Sequence, residues 1–197
     1  MTTNQHRTTF GLFFFRLVLL CHQPTIEKIM KTLTYFLEDS LNLDNILIAI
    51  NSANQVVFVS LDNTKEDNIY NLKKEYPNFK IEEGILNDNM REIFNHVKNP
   101  VRPHSVEIHM DGSDFQMAVW NAIMKIPTGK TASYTEIAES LGKPQSVRAV
   151  ATACSKNKIA VLVPCHRVVS KSDKNTGYRW DVFRKKRLLD IEKEKQF

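Results

Sequence analysis

Twice between Ser113 and Pro144 the sequence marks where a helix must begin and where it must stop, which limits this part of the chain to short helices. Ser113 and Gln116 stand at the spacing of a capping box. In that motif the serine hydroxyl accepts from a backbone N–H three residues on, and the glutamine side chain returns to the serine N–H. The helix that they open carries Phe115, Val119, Ala122, Ile123 and Ile126 on one stripe until Pro127 and Gly129 end it. Ser133 and Glu136 repeat the spacing at the head of YTEIAESL, which Gly142 and Pro144 stop. A third helix is expected from about Ser146 to Lys156. Two short helices joined through a glycine have the outline of a helix-turn-helix, and an ordinary helical hairpin has the same pattern.

Before Gly112 the periodicity is different. NILIAI and QVVFVS, within residues 45–60, are rich in Val and Ile and flank Asn51-Ser52-Ala53-Asn54, which reads as a hairpin. Thr64 to Tyr76 has Ile69, Leu72 and Tyr76 at helical spacing before Pro77. A short strand near Phe79–Ile81 and a helix from about Asp88 to Lys98 should follow. In VEIHM the residues Val106, Ile108 and Met110 alternate onto one face, as in a half-buried strand. The fold class expected is α+β, with a small α/β unit ahead of a mainly helical one.

Charge is unevenly divided between these parts. Residues 111–197 carry 16 Lys and Arg against 9 Asp and Glu, a balance of +7 within a chain whose net charge is +5. The helical part is therefore the candidate for a polyanionic partner, although many helical domains carry such an excess without binding nucleic acid. Apolar residues make up 42% of the chain and charged ones 25%, the composition of a soluble globular protein. Cys21, Cys154 and Cys165 form neither a disulfide framework nor the close pairs of a zinc site, which suits a reducing compartment and implies no metal. The apolar run Phe10–Cys21 is too short to span a bilayer and is broken by Arg16. Residues 1–30 are expected to be an N-terminal extension, disordered or not native, with Met30 as an alternative start.

Two stretches carry chemistry. In the third helix, Ala149, Ala151, Thr152 and Ala153 surround the long side chain of Arg148. Such a face suits either tight helix packing or close approach to a nucleic-acid groove. Further on, IAVLVPCHRVVS opens with a continuous apolar run, Ile159 to Val163, that should be buried, and Pro164 then forces a turn where Cys165 and His166 sit. A thiol beside an imidazole suggests an activated nucleophile, since the thiolate is the reactive form. Neighbours in an extended segment point to opposite faces, so the pair can cooperate only across a turn or through a water.

FQMAVWNAIMKIPTGKTASYTEIAESLGKPQSVRAVATACSKNKIAVLVPCHRVVS and the later TGYRW together resemble the C-terminal domain of the O6-alkylguanine-DNA alkyltransferases, also called methylated-DNA–protein-cysteine methyltransferases, closest to the bacterial adaptive-response branch. The resemblance covers about residues 112–192. It is weaker over 31–111, where that family carries an α/β domain resembling ribonuclease H, and absent over 1–30. It implies three segments, with 112–197 as the catalytic and DNA-binding domain.

The resemblance implies that Cys165 takes the alkyl group irreversibly from O6-alkylguanine, and from O4-alkylthymine, so that one molecule repairs one lesion. His166 would take the thiol proton through a water, and Glu192 would orient the histidine. Tyr134 would donate to guanine N3, and Asn157 would be a hinge tying the recognition helix to the turn before the cysteine. The carbonyls of Cys165 and Val168 would accept from the guanine 2-amino group, the backbone N–H near Arg179 would face O6, and Tyr178 would wall the pocket. Arg148 would fill the space left by the extruded base. Thr135, Ser146, Ala151 and Lys156 match DNA-contacting positions on a helix implied to lie in the minor groove. The implied partner is double-stranded DNA containing O6-alkylguanine, bound by a monomer in the cytoplasm, without membrane, metal or cofactor.

One departure concerns Asp181, which follows GYRW where the bacterial pattern more often has glycine. It alters the lid of the pocket or else caps the last helix. Three other readings differ in class. A non-reacting alkylguanine-binding protein would lack the acceptor cysteine, and a cysteine hydrolase would turn over. A regulator would need the multi-cysteine zinc domain that this sequence does not contain.

Overall fold

The computed structural model describes residues 31–101, 105–171 and 177–194, and the expected extension over 1–30 lies outside these residues. From Lys31 onward the chain is one compact unit of mixed α/β structure. Its main sheet has the order β3-β2-β1-β4. The strands are β1 (Thr32–Ser40), β2 (Asp44–Ile50), β3 (Val56–Asp62) and β4 (Lys80–Glu83), antiparallel except where β4 runs parallel to β1.

The β2–β3 hairpin forms where the sequence places it. Asn51 supplies the turn chemistry, because its Oδ1 accepts from the N–H groups of Ala53 and Gln55 at 3.0 Å each. Asn54 takes the left-handed conformation, φ 59°, that asparagine tolerates better than most side chains. α1 (Lys65–Glu75) is capped by Thr64, ends at Tyr76, and lays Leu72 against Leu33, Leu47, Val57 and Phe58 on one side of the sheet.

The other side of the sheet faces everything that follows. Phe36, Ile46, Ile48, Val59 and Leu61 pack in one continuous core with Ile93 and Phe94 of α2 (Asp88–Lys98), Val119 and Ile123 of α3 (Asp114–Met124), Val150 of α5 (Val147–Ser155) and the segment 159–168. VEIHM is not a strand. Val106, Ile108 and Met110 do pack on that core, but a single residue, Ile108, bridges β3 at Val56. Alternation reported burial correctly; a strand also needs a partner with several free backbone groups, and Val56 offers only its own.

Both capping boxes form. Ser113 Oγ accepts from Gln116 N at 3.4 Å while Ser113 N donates to Gln116 Oε1 at 2.9 Å, heading α3. Ser133 and Glu136 repeat this at 3.1 and 2.6 Å, heading α4 (Tyr134–Ser140). Gly142, at φ 67°, turns the chain out of α4, and one 3-10 turn over Pro144–Ser146 leads into α5, which packs against α3 and α4. Trp120 Nε1 donates to Ala153 O at 2.9 Å and ties α3 to α5.

The apolar run before the cysteine is buried as expected but is not a strand. Only Ile159 bridges β3, at Val59; the chain then turns tightly, with Val161 at φ 67° and Val163 N donating to Ile159 O at 3.2 Å. A continuous apolar run signals burial without fixing conformation. After a 3-10 turn at Cys165–Arg167, β6 (Val168–Val169) pairs in parallel with β5 (Ala132–Ser133), which sets Tyr134, the first residue of α4, beside the cysteine turn. α6 (Val182–Glu194) closes the unit. Among the described residues no helix is long and apolar enough to cross a membrane.

Candidate active site

Cys165 opens the 3-10 turn and is buried, at 4% exposure. Asn157, just past the C-terminus of α5, organises what surrounds it. Its Oδ1 accepts from Ile159 N at 2.9 Å, and its Nδ2 donates to Val163 O at 2.9 Å and reaches the Cys165 sulfur at 3.1 Å. Three backbone and side-chain groups are thus fixed by one buried amide, which ties α5 to the cysteine turn. Burial pushes the Cys165 thiol up to about 11, against the pull of the Asn157 amide and the Lys185 ammonium. At rest the group is therefore a thiol, and transfer of its proton has to be part of any reaction it undertakes.

His166 follows in the same turn and reaches α6. Its Nε2 lies 2.8 Å from Glu192 Oε1 on α6, and its Nδ1 is buried with no protein partner among the described residues. Burial lowers the imidazole below its ordinary value, opposed by Glu192, so the ring is neutral near pH 7. With Nε2 committed as donor to the carboxylate, Nδ1 carries the lone pair.

Glu192 is fully buried, and burial alone would raise its carboxyl. The hydrogen bonds of His166, Arg167 and Gly129 N outweigh that and bring it down to about 2. Arg167 approaches the carboxylate through Nε at 3.0 and 3.1 Å and Nη2 at 2.8 Å, while its Nη1 donates to Ile126 O at 2.7 Å. Gly129 N donates to Glu192 Oε2 at 2.9 Å. The buried charge is thus paired and its lone pairs are occupied, the condition under which such burial is tolerated.

Tyr134 and Tyr178 both lie near the thiol. A Cβ placed on Gly177 would lie 3.7 Å from the Tyr134 hydroxyl, so the chain at Gly177, φ 66°, passes close over that oxygen. Tyr178 meets the His166 ring edge-on, with centroids 6.4 Å apart, and its hydroxyl is buried without a partner among the described residues. The Val168 carbonyl accepts from the Lys185 ammonium at 2.8 Å, and the Cys165 carbonyl accepts from Val168 N. The side chain of Arg179 turns away from the cysteine toward Asn157 O, at 3.1 Å, and Glu75.

The expected DNA-contacting residues lie along α4 and α5, with Thr135 next to Tyr134 and Lys156 next to Asn157 in the chain. Arg148, Thr152 and Lys156 are exposed on α5, with Ala151 and Ser146 half-buried, and Thr135 is half-buried in the first turn of α4. Ala153, one of the small residues assigned to the same face, points inward and is buried. Among the described residues there is no group of three His, Cys, Asp or Glu side chains placed to hold a metal ion.

The sequence reading missed Arg167 and Lys185. Arg167 lies inside PCHRV, but nothing local indicates that it turns toward α6. Lys185 had a usable signal, because Lys185, Leu188, Leu189 and Glu192 recur at helical spacing and share the inward face of α6.

A family profile described as "6-O-methylguanine DNA methyltransferase, DNA binding domain" matches residues 114–194. The inducible methylated-DNA–protein-cysteine methyltransferase of Bacillus subtilis is 36% identical over 141 residues, covering 70% of this chain and 79% of that protein. The chain belongs to the methylated-DNA–protein-cysteine methyltransferase family. Within it, the bifunctional transcriptional activator/DNA repair enzyme Ada of Escherichia coli is 41% identical over 112 residues, 57% of this chain and 32% of Ada, so the chain spans about a third of that relative. A crystal structure of Mycobacterium tuberculosis OGT in complex with DNA superposes with a TM-score of 0.67 at 30% identity, covering 82% of this chain and 93% of that one. The family match extends over both Cys165 and Glu192.

Proposed function

We propose that this chain repairs alkylated DNA by moving the alkyl group from O6 of guanine, and from O4 of thymine, onto Cys165 Sγ, once per protein molecule. The observation that carries the reading is the buried pairing of an acceptor thiol held by the Asn157 amide with a neutral imidazole oriented by Glu192. His166 Nδ1 takes the thiol proton through a water. The sulfur attacks the alkyl carbon, the S–C bond forms, and the C–O bond breaks with its electron pair going to the base. Tyr134, donating to guanine N3, offsets that charge, and the proton held by His166 is returned to the departing base. The product is a thioether, which this site contains no group to cleave.

Residues 112–197 act as the catalytic and DNA-binding domain, with α4 and α5 as a helix-turn-helix whose second helix enters the minor groove. The exposed Arg148 enters the stack in place of the extruded base. Thr135, Ser146, Ala151 and Lys156 face the backbone, and the lip formed by Val168, Tyr178 and Arg179 surrounds the base. Residues 31–111 supply a ribonuclease H-like scaffold, supported by the strand order and by α1 on one face of the sheet. The protein acts as a monomer in the cytoplasm.

Peptide mapping after incubation with a duplex containing O6-methylguanine tests the assignment. S-methylcysteine is expected at residue 165 and nowhere else; methyl transfer that survives Cys165→Ser would refute it. Arg148→Ala should slow transfer from duplex far more than from a free O6-alkylguanine base. Equal losses on the two substrates would remove Arg148 from base extrusion.

A further inference from the structure

Glu75 ends α1, on the opposite side of the sheet from the main core, yet it is joined to the acceptor sulfur by direct contacts. Its carboxylate pairs with the Arg179 guanidinium through Nη2, and the same guanidinium donates through Nη1 to Asn157 O at 3.1 Å. Asn157 Nδ2 in turn reaches Cys165 Sγ at 3.1 Å. Lys158 Nζ lies 3.5 Å from the other Glu75 oxygen and 5.1 Å over the Tyr76 ring, so the carboxylate holds both cations that flank the hinge. The Glu75 and Arg179 side chains are only 26% and 22% exposed. Screening by solvent is correspondingly weaker than for a surface pair.

We propose that Glu75 is a positioning residue for alkyl transfer: by holding Arg179 against the Asn157 carbonyl, it fixes the amide that serves the acceptor sulfur and anchors the lip at 177–180. The inference rests on the reading of Cys165 as alkyl acceptor. It gives the α/β part of the chain a share in the reaction through one named side chain. An unpaired Arg179 would be drawn to water, releasing the Asn157 backbone carbonyl, and the backbone that carries the Asn157 side-chain amide would gain freedom where that amide must donate to sulfur. Arg179 also stacks on the Trp180 ring, 5.6 Å from its centroid, so the release extends into the lip.

The sign of one measurement separates positioning from plain electrostatics. Glu75 is negative, and removing a negative charge by through-space effect alone would make Cys165 easier to ionise. Loss of the Asn157 hydrogen bond would make it harder. The experiment compares wild type, Glu75→Ala, Arg179→Gln and the double variant, all as full chains. It reads the pH midpoint of Cys165 alkylation by iodoacetamide and the single-turnover rate on a duplex containing O6-methylguanine.

Glu75→Ala is expected to move the midpoint upward by about half a unit, which is about a threefold loss of thiolate at fixed pH. The transfer rate should fall in step. In the Arg179→Gln background the same substitution should have no further effect, because the link through which it acts is already cut. An unchanged or lowered midpoint in Glu75→Ala would overturn the proposal, as would an equal shift in both backgrounds. Failure of wild type to accept methyl at all would instead count against the alkyltransferase reading, since the iodoacetamide midpoint does not depend on it.

Discussion

At Asp181 a left-handed backbone, φ 83°, stands where the bacterial pattern more often has glycine. The carboxylate explains why the side chain is tolerated. Asp181 Oδ1 accepts from Phe183 N at 2.6 Å, which caps the first turn of α6. The cap contributes about 1 kcal/mol and the conformation costs about as much, aspartate and asparagine being the side chains that bear it best. Asp181→Gly should therefore change stability by less than about 0.5 kcal/mol, since it loses the cap and the strain together. Asp181→Ala keeps the strain without the cap and should cost about 1 kcal/mol or more in urea unfolding. Equal losses in the two variants would contradict this balance.

Glu192 gives a pH prediction at the same scale. Its carboxyl falls from 4.5 to about 2 in the folded state, so the unfolded chain binds the proton more tightly. The resulting stabilisation is fully present above the unfolded value and is lost as pH falls through about 4.5 toward 2. It amounts to about 3 kcal/mol. His166, lowered by burial, acts in the same direction, with stability declining as pH falls below its ordinary value of 6.5. Glu192→Gln should flatten the acid limb of the stability profile and cost about 3–5 kcal/mol at neutral pH, because it strands Arg167 in a buried site. An acid limb unchanged in Glu192→Gln would show that the carboxylate is not the titrating group.

Among the elements, the capping boxes were the most legible part of the sequence, because a cap is a contact between residues three apart. Ser133 does two jobs: its hydroxyl heads α4, and its backbone, paired within β5 to β6, sets Tyr134 beside the cysteine turn. Ser133→Ala should cost about 1 kcal/mol of stability. If the placement of Tyr134 matters, transfer should slow by more than the loss of folded protein accounts for. A rate that tracks only the folded fraction would show that the cap serves folding alone.

Other elements were not legible, and the reasons are physical. β1, TLTYFLEDS, was not anticipated because neither face of the strand is consistently buried, so no alternation is written into it. The turn at 160–163 was not legible because an all-apolar run signals burial without fixing conformation, and the φ of 67° at Val161 follows from tertiary packing rather than from valine. Within the site, Cys165, His166, Asn157 and Glu192 were found through resemblance to the family. In the structure the Asn157 amide reaches the Cys165 sulfur and the Glu192 carboxylate lies on His166 Nε2. The contact between Glu75 and Arg179 joins residues 104 apart, and nothing local in either segment predicts it.

In the molecule as a whole, the strand-rich and helix-rich parts that the sequence distinguishes share one hydrophobic core. Polar contacts cross between them as well. Arg184 of α6 donates to Asp44 Oδ2 and Asn63 Oδ1 at 2.6 Å each, beside the Glu75–Arg179 pair. Unfolding should therefore be a single cooperative transition. Fluorescence of the two buried tryptophans, Trp120 and Trp180, should report the same midpoint as far-ultraviolet circular dichroism, which includes the sheet. Separated midpoints would mean that the two parts fold independently and would weaken the case for a scaffold that acts on the site.

Cys165 is the proposed single-use acceptor, and intact mass measured against a titration of methylated duplex reads its fate. With duplex in excess, every protein molecule should gain the mass of one methyl in place of one hydrogen, and repair should stop at one lesion per molecule. Repair that continues past one equivalent while the protein mass stays unchanged would mean that Cys165 is not the acceptor.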